Sequence, residues 1–388
     1  MKLLHLSDLH LGRTLGGVSL LEDQRDILTQ ILSLIDTVRP DAVLVAGDVY
    51  DRSNPAEEAI RLADWWIGEV SARSVPLCII SGNHDSAGRI AYLASVAART
   101  GVYLPRVIAP GSPGLTRVTL SDAHGPVDIT LLPFVRPATV HAALPEAQFT
   151  GTAGAVAALL AATPPRPGVR SVLVAHQLVL AGGAGPEPGG SEELLVGGVE
   201  NVDAALFDAY HYVALGHIHR PQNVRGPRIR YCGAPLQYAK DEAGQARGAT
   251  LVEMDAAGAI TVQAVPLRPL HPVWQIRGRL EALLAPGFGP GQQAQDYFFV
   301  TLTDETPPAA PMDRLRAKYP NVLGLELDRD AGGAAGQAQH NAAADVAGKT
   351  LQALFGEFFE NRNGRPMNGV EAAALAAVLE KRREEAPQ

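Results

Sequence analysis

Five short clusters of carboxylate, amide and imidazole residues punctuate the chain up to His219: Asp8-Leu9-His10, Gly47-Asp48, Gly82-Asn83-His84-Asp85, His176 and Gly216-His217-Ile218-His219. Taken singly they say little, because an Asp-X-His or a Gly-Asp arises by chance and a solitary histidine is most often a hydrogen-bonded structural residue. Together, Asp8, His10, Asp48, Asn83, His176, His217 and His219 offer seven oxygen and nitrogen donors. That mixture suits first-row divalent ions such as manganese, iron or zinc better than magnesium, which prefers an oxygen shell. Burying so many ionisable groups without a cation would be costly, so the combination predicts a dinuclear metal site.

The elements that must position these residues are legible from hydropathy. Strand-like runs at Leu3 to Ser7, Ala42 to Ala46, Val75 to Ile80, Val172 to Ala175 and Tyr212 to Leu215 each lead into a cluster, and Ile129 to Phe134 reads as a further strand. Leu20 to Val38 and Glu57 to Arg73 repeat apolar residues every three or four positions, as amphipathic helices do. Alternation of this kind predicts an α/β layered domain, in which loops at the carboxyl ends of strands converge on one crevice. After His219 the runs Ile229 to Cys232, Ala249 to Met254 and Ile260 to Val265 make the second half of the core β-rich.

Domain boundaries are expected at 1–270 for the catalytic unit, 271–330 for a small α+β unit, 331–348 for an Ala/Gly/Gln-rich linker and 349–388 for a helical segment. In the last of these, Thr350 to Glu360 and Val370 to Lys381 read as amphipathic helices suited to docking on a partner. No apolar run approaches the roughly 18 residues of a membrane span. The ionisable groups of Met1 to His10 do not fit an export signal, so a cytoplasmic protein with no membrane contact is expected. Cys78 and Cys232 cannot form a disulfide framework and read as buried thiols.

A formal charge of −8 argues against free-standing, sequence-independent nucleic-acid binding, which needs Lys and Arg to neutralise phosphates. Any such role must rest on local charge. Arg13, Arg52, Arg89 and Arg220 each lie within a few residues of a cluster and would form a positive collar if the loops converge. No P-loop is present: Gly348-Lys349-Thr350 lacks the earlier glycine, since Ala343 stands at that position. Dependence on ATP would have to come from a partner.

All five clusters match the signature of the calcineurin-like metallophosphoesterases, which the sequence resembles. More narrowly it is similar to the SbcD family of nuclease subunits, through residues 4–12 (Leu-His-Leu-Ser-Asp-Leu-His-Leu-Gly), 47–51, 212–222 and 229–236, with Tyr319-Pro-Asn-Val-Leu and the final helices continuing the likeness. The resemblance implies a layered metallophosphoesterase β-sandwich flanked by helices, with 271–330 as a DNA-binding capping domain and the helical tail as a docking segment. It implies one ion held by Asp8, His10, Asp48 and His219 and another by Asp48, Asn83, His176 and His217, most often Mn2+, with Asp48 as the bridge and water as the nucleophile. His84 would face the scissile phosphate, and Asp85 would orient or charge it. The substrates implied are double-stranded DNA ends, hairpins and single strands, degraded 3′ to 5′ on duplexes. The partners implied are an SbcC-type ATPase and a second copy, packed through Glu57 to Arg73 and Ala87 to Arg99, within a heterotetramer. One departure stands out: archaeal relatives place a second histidine after the Gly-Asp, where this chain has Asp51. A small-molecule or protein phosphoesterase would share the same dinuclear site, and an interaction subunit that had lost activity would be expected to lack some of these ligands.

Overall fold

The computed structural model describes residues 1–328 except 113, 183–184, 188–200 and 307, and beyond them only the isolated positions 355, 359, 367–369, 371–372 and 375. The expected linker at 331–348, the Gly348-Lys349-Thr350 stretch and most of the two expected terminal helices lie outside the described residues.

Two six-stranded sheets form the core. The first runs in the order Ile260–Leu267, Arg247–Met254, Lys2–Leu6, Ala42–Ala46, Leu77–Ile80 and Val102–Tyr103. Lys2–Leu6 pairs in parallel with Ala42–Ala46 and antiparallel with Arg247–Met254. The second runs Gln222–Arg225, Ile229–Tyr231, Tyr212–Gly216, Arg170–His176, Gly125–Leu132 and Thr116–Asp122, with the four inner strands parallel. Successive side chains of a strand point to opposite faces. Leu3, Leu44, Ala46, Cys78 and Ile80 of the first sheet therefore meet Ile129, Leu131, Val172, Val174 and Ala214 of the second in an apolar layer between the sheets.

Their neighbours in sequence face outward and are covered by helices. Leu4, Val43, Val45 and Ile79 pack against Leu21–Val38, whose Ile27, Leu28, Ile31 and Ile35 make one buried stripe, and against Glu57–Ala72 through Leu62 and Trp66. Leu132, Leu173, Val213 and Leu215 pack against Pro137–Ala143 and Gly151–Ala162. The result is the α/β layering that the sequence pattern predicts, in the helix-flanked sandwich that the family resemblance implies. Burial on both faces explains why these parallel strands read as continuous apolar runs.

Some elements depart from expectation. Ala87 to Arg99 is not one helix but two short ones, Ala87–Ile90 and Ala94–Ala97, separated by Leu93 in left-handed backbone at φ 57°. The strand Thr116–Asp122 and the helix Gly151–Ala162 add to the expected set. Strands Val273–Gly278, Tyr297–Leu302 and Val322–Leu327 form a three-stranded sheet in that order. The division of the chain into two compact units runs through these strands: one unit holds Met1–Ile276, Leu284–Val300 and Ala310–Leu325, and the other holds Arg277–Leu283, Thr301–Ala309 and Glu326–Gln388. Within the described residues no helix is long and apolar enough to cross a membrane.

Candidate metal centre

Every cluster sits at the carboxyl end of a strand, and the two sheets bring those ends together. Asp8 and His10 follow Lys2–Leu6, Asp48 follows Ala42–Ala46, Asn83 follows Leu77–Ile80, His176 closes Arg170–His176, and His217 and His219 follow Tyr212–Gly216. Three glycines allow the approach. A Cβ on Gly47 would overlap the His176 ring, one on Gly82 the Asp48 carboxylate, and one on Gly216 the carbonyl of Ala46. The glycine in each motif is thus required by how closely the next loop passes.

The backbone at these loops is strained. Asp8, His10, Asp48 and His217 all have positive φ, at 54°, 42°, 48° and 102°. Each such residue costs about 1–3 kcal/mol and persists only where surrounding bonds hold it. Those bonds are present: the His217 amide donates to Asp8 Oδ1 at 3.0 Å, the His10 amide to the Asp48 carbonyl at 2.9 Å, and the His84 amide to Asp48 Oδ1 at 2.9 Å.

The donors converge in two groups around Asp48. Asp8, His10 and His219 offer ligand atoms within 4.8 Å of one another, as do Asp8, Asp48 and His176, and also His10, Asp48 and His84. His10 Nε2 lies 3.0 Å from His219 Nε2 and 3.6 Å from Asp48 Oδ2. On the other side, His176 Nε2 lies 3.3 Å from Asp48 Oδ2 and 2.9 Å from Asn83 Oδ1, which His217 Nδ1 also meets at 3.1 Å. Asp48 faces both groups.

Tautomers sharpen this picture. Nδ1 of His219 donates to Glu242 Oε1 at 2.9 Å and Nδ1 of His176 donates to the Ala46 carbonyl at 2.8 Å, so in the neutral rings both Nε2 lone pairs point inward. Inward-facing lone pairs next to carboxylate and amide oxygens are acceptors facing acceptors, an arrangement that a cation satisfies. The donor set therefore fits a pair of divalent metals. Without them, burial would depress His176, but the Asp48 carboxylate outweighs it and lifts the ring to about 9. Burial pushes His217 down to about 3 and His10 well below its ordinary value, and it raises Asp8. Asp48 is pulled far below the carboxylate range, its own burial being overcome by His176, His10 and His84.

Other predicted residues fall as follows. His84 stands beside the centre, its ring 4.8 Å from that of His10 and its Nδ1 3.0 Å from the Asp51 carbonyl. Asp85 does not bond to His84. Its oxygens accept from the amides of Val49 at 3.1 Å, Tyr50 at 2.9 Å and Gly82 at 2.9 Å, tying the Gly-Asp loop to the Gly-Asn-His-Asp loop, while burial and then Asp48 raise it to about 6. Arg13 pairs with Asp51 at 2.8 Å, Arg52 lies 3.6 Å from the same carboxylate, and Arg89 donates to Asn54 at 2.8 Å, so three of the four arginines gather on one loop. Arg220 pairs with Glu187 at 2.5 Å.

Motif reading misses the residues that hold the ligands. Gln24 donates to the carbonyls of Leu9 and His10, at 3.3 and 2.7 Å, and accepts from the Gly12 amide at 2.9 Å. Tyr238 donates to the Leu9 carbonyl. Glu242 is fully buried between His219 and Arg247, whose guanidinium reaches Glu242 Oε2 at 2.7 Å and the His219 carbonyl at 2.5 Å. A partner that orients a metal-binding imidazole in this way tunes affinity. Gln24 sits among apolar helix positions, an anomaly visible in sequence, whereas Glu242 lies in a polar turn and Arg247 opens the strand Arg247–Met254, positions that carry no signal.

Residues 1–221 match the calcineurin-like phosphoesterase family, and residues 269–363 match the type 5 capsule protein repressor C-terminal domain. The SbcD component of the SbcCD nuclease from Staphylococcus epidermidis is 30% identical over 333 residues, covering 84% of this chain and 85% of that one. Two solved structures each align with 68% of the chain at 12% identity: TT1561 of Thermus thermophilus, covered to 98% with a TM-score of 0.37, and a dimetal phosphatase from Danio rerio, covered to 95% with a TM-score of 0.40. With its phosphoesterase signature folded onto one buried centre and its likeness to a nuclease subunit covering 84% of its length, the chain belongs to the calcineurin-like phosphoesterases and, among them, to the SbcD-type, metal-dependent nucleases.

Proposed function

We propose that this protein is the nuclease subunit of a DNA-end-processing complex, cleaving phosphodiesters in duplex ends, hairpins and single strands. One observation carries the reading: Asp48, buried and in strained backbone, faces two donor groups, Asp8, His10 and His219 on one side and Asn83, His176 and His217 on the other. Two divalent cations held there, with Mn2+ the preferred species, supply Lewis acidity toward a phosphodiester and lower the pKa of water. The chain's own residues do the rest. His84, at the rim, donates a hydrogen bond or proton to the leaving sugar oxygen. Asp85 positions it indirectly, by fixing the loop that bears it. Arg13, Arg52 and Arg89 present net positive charge on the Asp51-Asn54 loop, and Arg220, in the loop after His219, joins them by exchanging its ion pair with Glu187 for a phosphate.

The remaining assignments follow from the family. Residues 271–330 cap the DNA, residues 349–388 dock an SbcC-type ATPase, and exonuclease polarity is 3′ to 5′ in a cytoplasmic heterotetramer. A homodimer contact near 92–107 is supported by exposed Tyr92, Leu93, Val96 and Val107, an apolar patch that a second copy would cover. The deciding assay incubates the purified chain with Mn2+ and linear duplex, hairpin-ended DNA, a cyclic nucleotide or a phosphomonoester. Cleavage of the two DNA substrates is expected, and turnover of the last two alone would replace this reading with a small-molecule phosphoesterase.

A further inference from the structure

A cavity of about 380 Å3 opens between the edges of the two sheets, walled by Arg220, Arg230, Cys232, Thr250, Val265 and Pro266. That volume is within the usual range for small-ligand sites, roughly 300–1000 Å3. Its charge is not balanced. Arg220 is matched by Glu187 and Arg247, at the floor, by Glu242. Arg230 is half-buried and reaches only neutral acceptors, Asn223 Oδ1 at 2.8 Å and Thr250 Oγ1 at 3.4 Å, with no carboxylate in ion-pair range among the described residues. A half-buried guanidinium without a counter-ion is an unfavourable arrangement that an anion relieves. Opposite it, Ala249, Val265 and Pro266 give an apolar wall.

The geometry points to a second, non-catalytic site in this cavity that binds a nucleoside monophosphate unit, its phosphate on Arg230 and its base or sugar against the Val265-Pro266 wall. The ligand class rests on the nuclease reading, in which such units are both product and strand end. Guanidinium geometry suits a phosphate because its paired N–H groups match two phosphate oxygens. The site is distinct from the metal centre because none of the candidate ligands lines it.

Calorimetric titration of the full chain in chelator, where hydrolysis is silent, tests the idea with four probes: dAMP, deoxyadenosine, inorganic phosphate and a 5′-phosphorylated trinucleotide. Binding of dAMP, of the trinucleotide or of both is expected, the pattern identifying a free product or a strand end, with deoxyadenosine at least tenfold weaker. Arg230→Gln should weaken that binding tenfold or more. Ala264→Trp, an exposed edge position that lines the cavity, should do the same by filling it while leaving Arg230 in place. Both variants should keep wild-type thermal melting and Mn2+-dependent hydrolysis of bis(p-nitrophenyl) phosphate. Binding that neither variant alters, binding of phosphate alone, or no binding by any nucleotide probe would overturn the site. Failure of the nuclease reading would register separately, as DNA left uncut in Mn2+.

Discussion

The two ends of the paired sheets treat buried charge in opposite ways. At the amino ends of the parallel strands carboxylates pair with cations of the chain: Asp122 meets Arg170 at 2.5 Å and the Met1 ammonium at 2.7 Å, and the exposed Asp208 meets Arg228 at 2.6 Å and Arg225 at 2.8 Å. At the carboxyl ends, Asp8 and Asp48 are buried more deeply yet face imidazoles, amides and each other, on strained backbone. One end is closed electrostatically by the chain itself, whereas the other is completed by something the chain must acquire. Stability and function are thus segregated to opposite ends of the same strands.

That segregation can be broken most forcefully at Asp48. Asp48→Asn is expected to lower Mn2+-dependent hydrolysis about 1000-fold or more, roughly 4 kcal/mol of transition-state stabilisation, while melting in chelator falls as well, because the amide gives up the attraction to His176, His10 and His84 that holds the carboxylate ionised. Kinetics and calorimetry on one preparation check both halves. At the amino end stability alone should change. Arg170→Met leaves Asp122 without its main partner and should destabilise the fold by about 3 kcal/mol in urea titrations, with kcat unchanged.

A third variant probes how the open end is supported. Glu242→Gln keeps the size of the side chain but weakens its hold on His219, and should reduce metal affinity about 10- to 100-fold, with activity restored by excess Mn2+. Activity that excess metal did not restore would assign Glu242 a role other than orienting His219. The smallest effect concerns His5, five residues before His10 on the same segment. Burial, and then the charge of Arg230, push His5 down to about 3, and its Nδ1 meets the Tyr212 hydroxyl at 2.9 Å. Below the unfolded value of about 6.5 the unfolded chain takes up a proton that the folded chain refuses, so stability falls as pH drops from about 6.5 toward 3 and is unaffected above. The slope is about 1.4 kcal/mol per pH unit, and His5→Gln should flatten it in denaturant titrations at pH 7, 6 and 5.

How much of this is legible in sequence follows from the same division. Ligand positions are readable because each motif ends an apolar run, and parallel strands buried on both faces make such runs conspicuous. The helix Gly151–Ala162 is not, because Ala155, Val156, Ala157, Ala158, Leu159 and Leu160 are apolar without a clear period. Ala87 to Arg99 shows a stripe, but Leu93 turns left-handed and breaks it. Asp85 reads in sequence as a partner of its neighbour His84, whereas tertiary folding gives its oxygens three amides from 36, 35 and 3 residues away. Glu242 and Arg247 escape notice for a similar reason: their partner, His219, is more than twenty residues upstream. Motifs report strand ends well, but the groups that hold those ends in place come from wherever the fold happens to bring them.

The most direct test of the central claim is anomalous diffraction at the manganese edge from crystals grown with Mn2+. Two peaks are expected, both touching Asp48, one completed by Asp8, His10 and His219 and the other by Asn83, His176 and His217. A centre with no anomalous peak, or with a single ion that leaves Asp48 uncoordinated, would contradict the account.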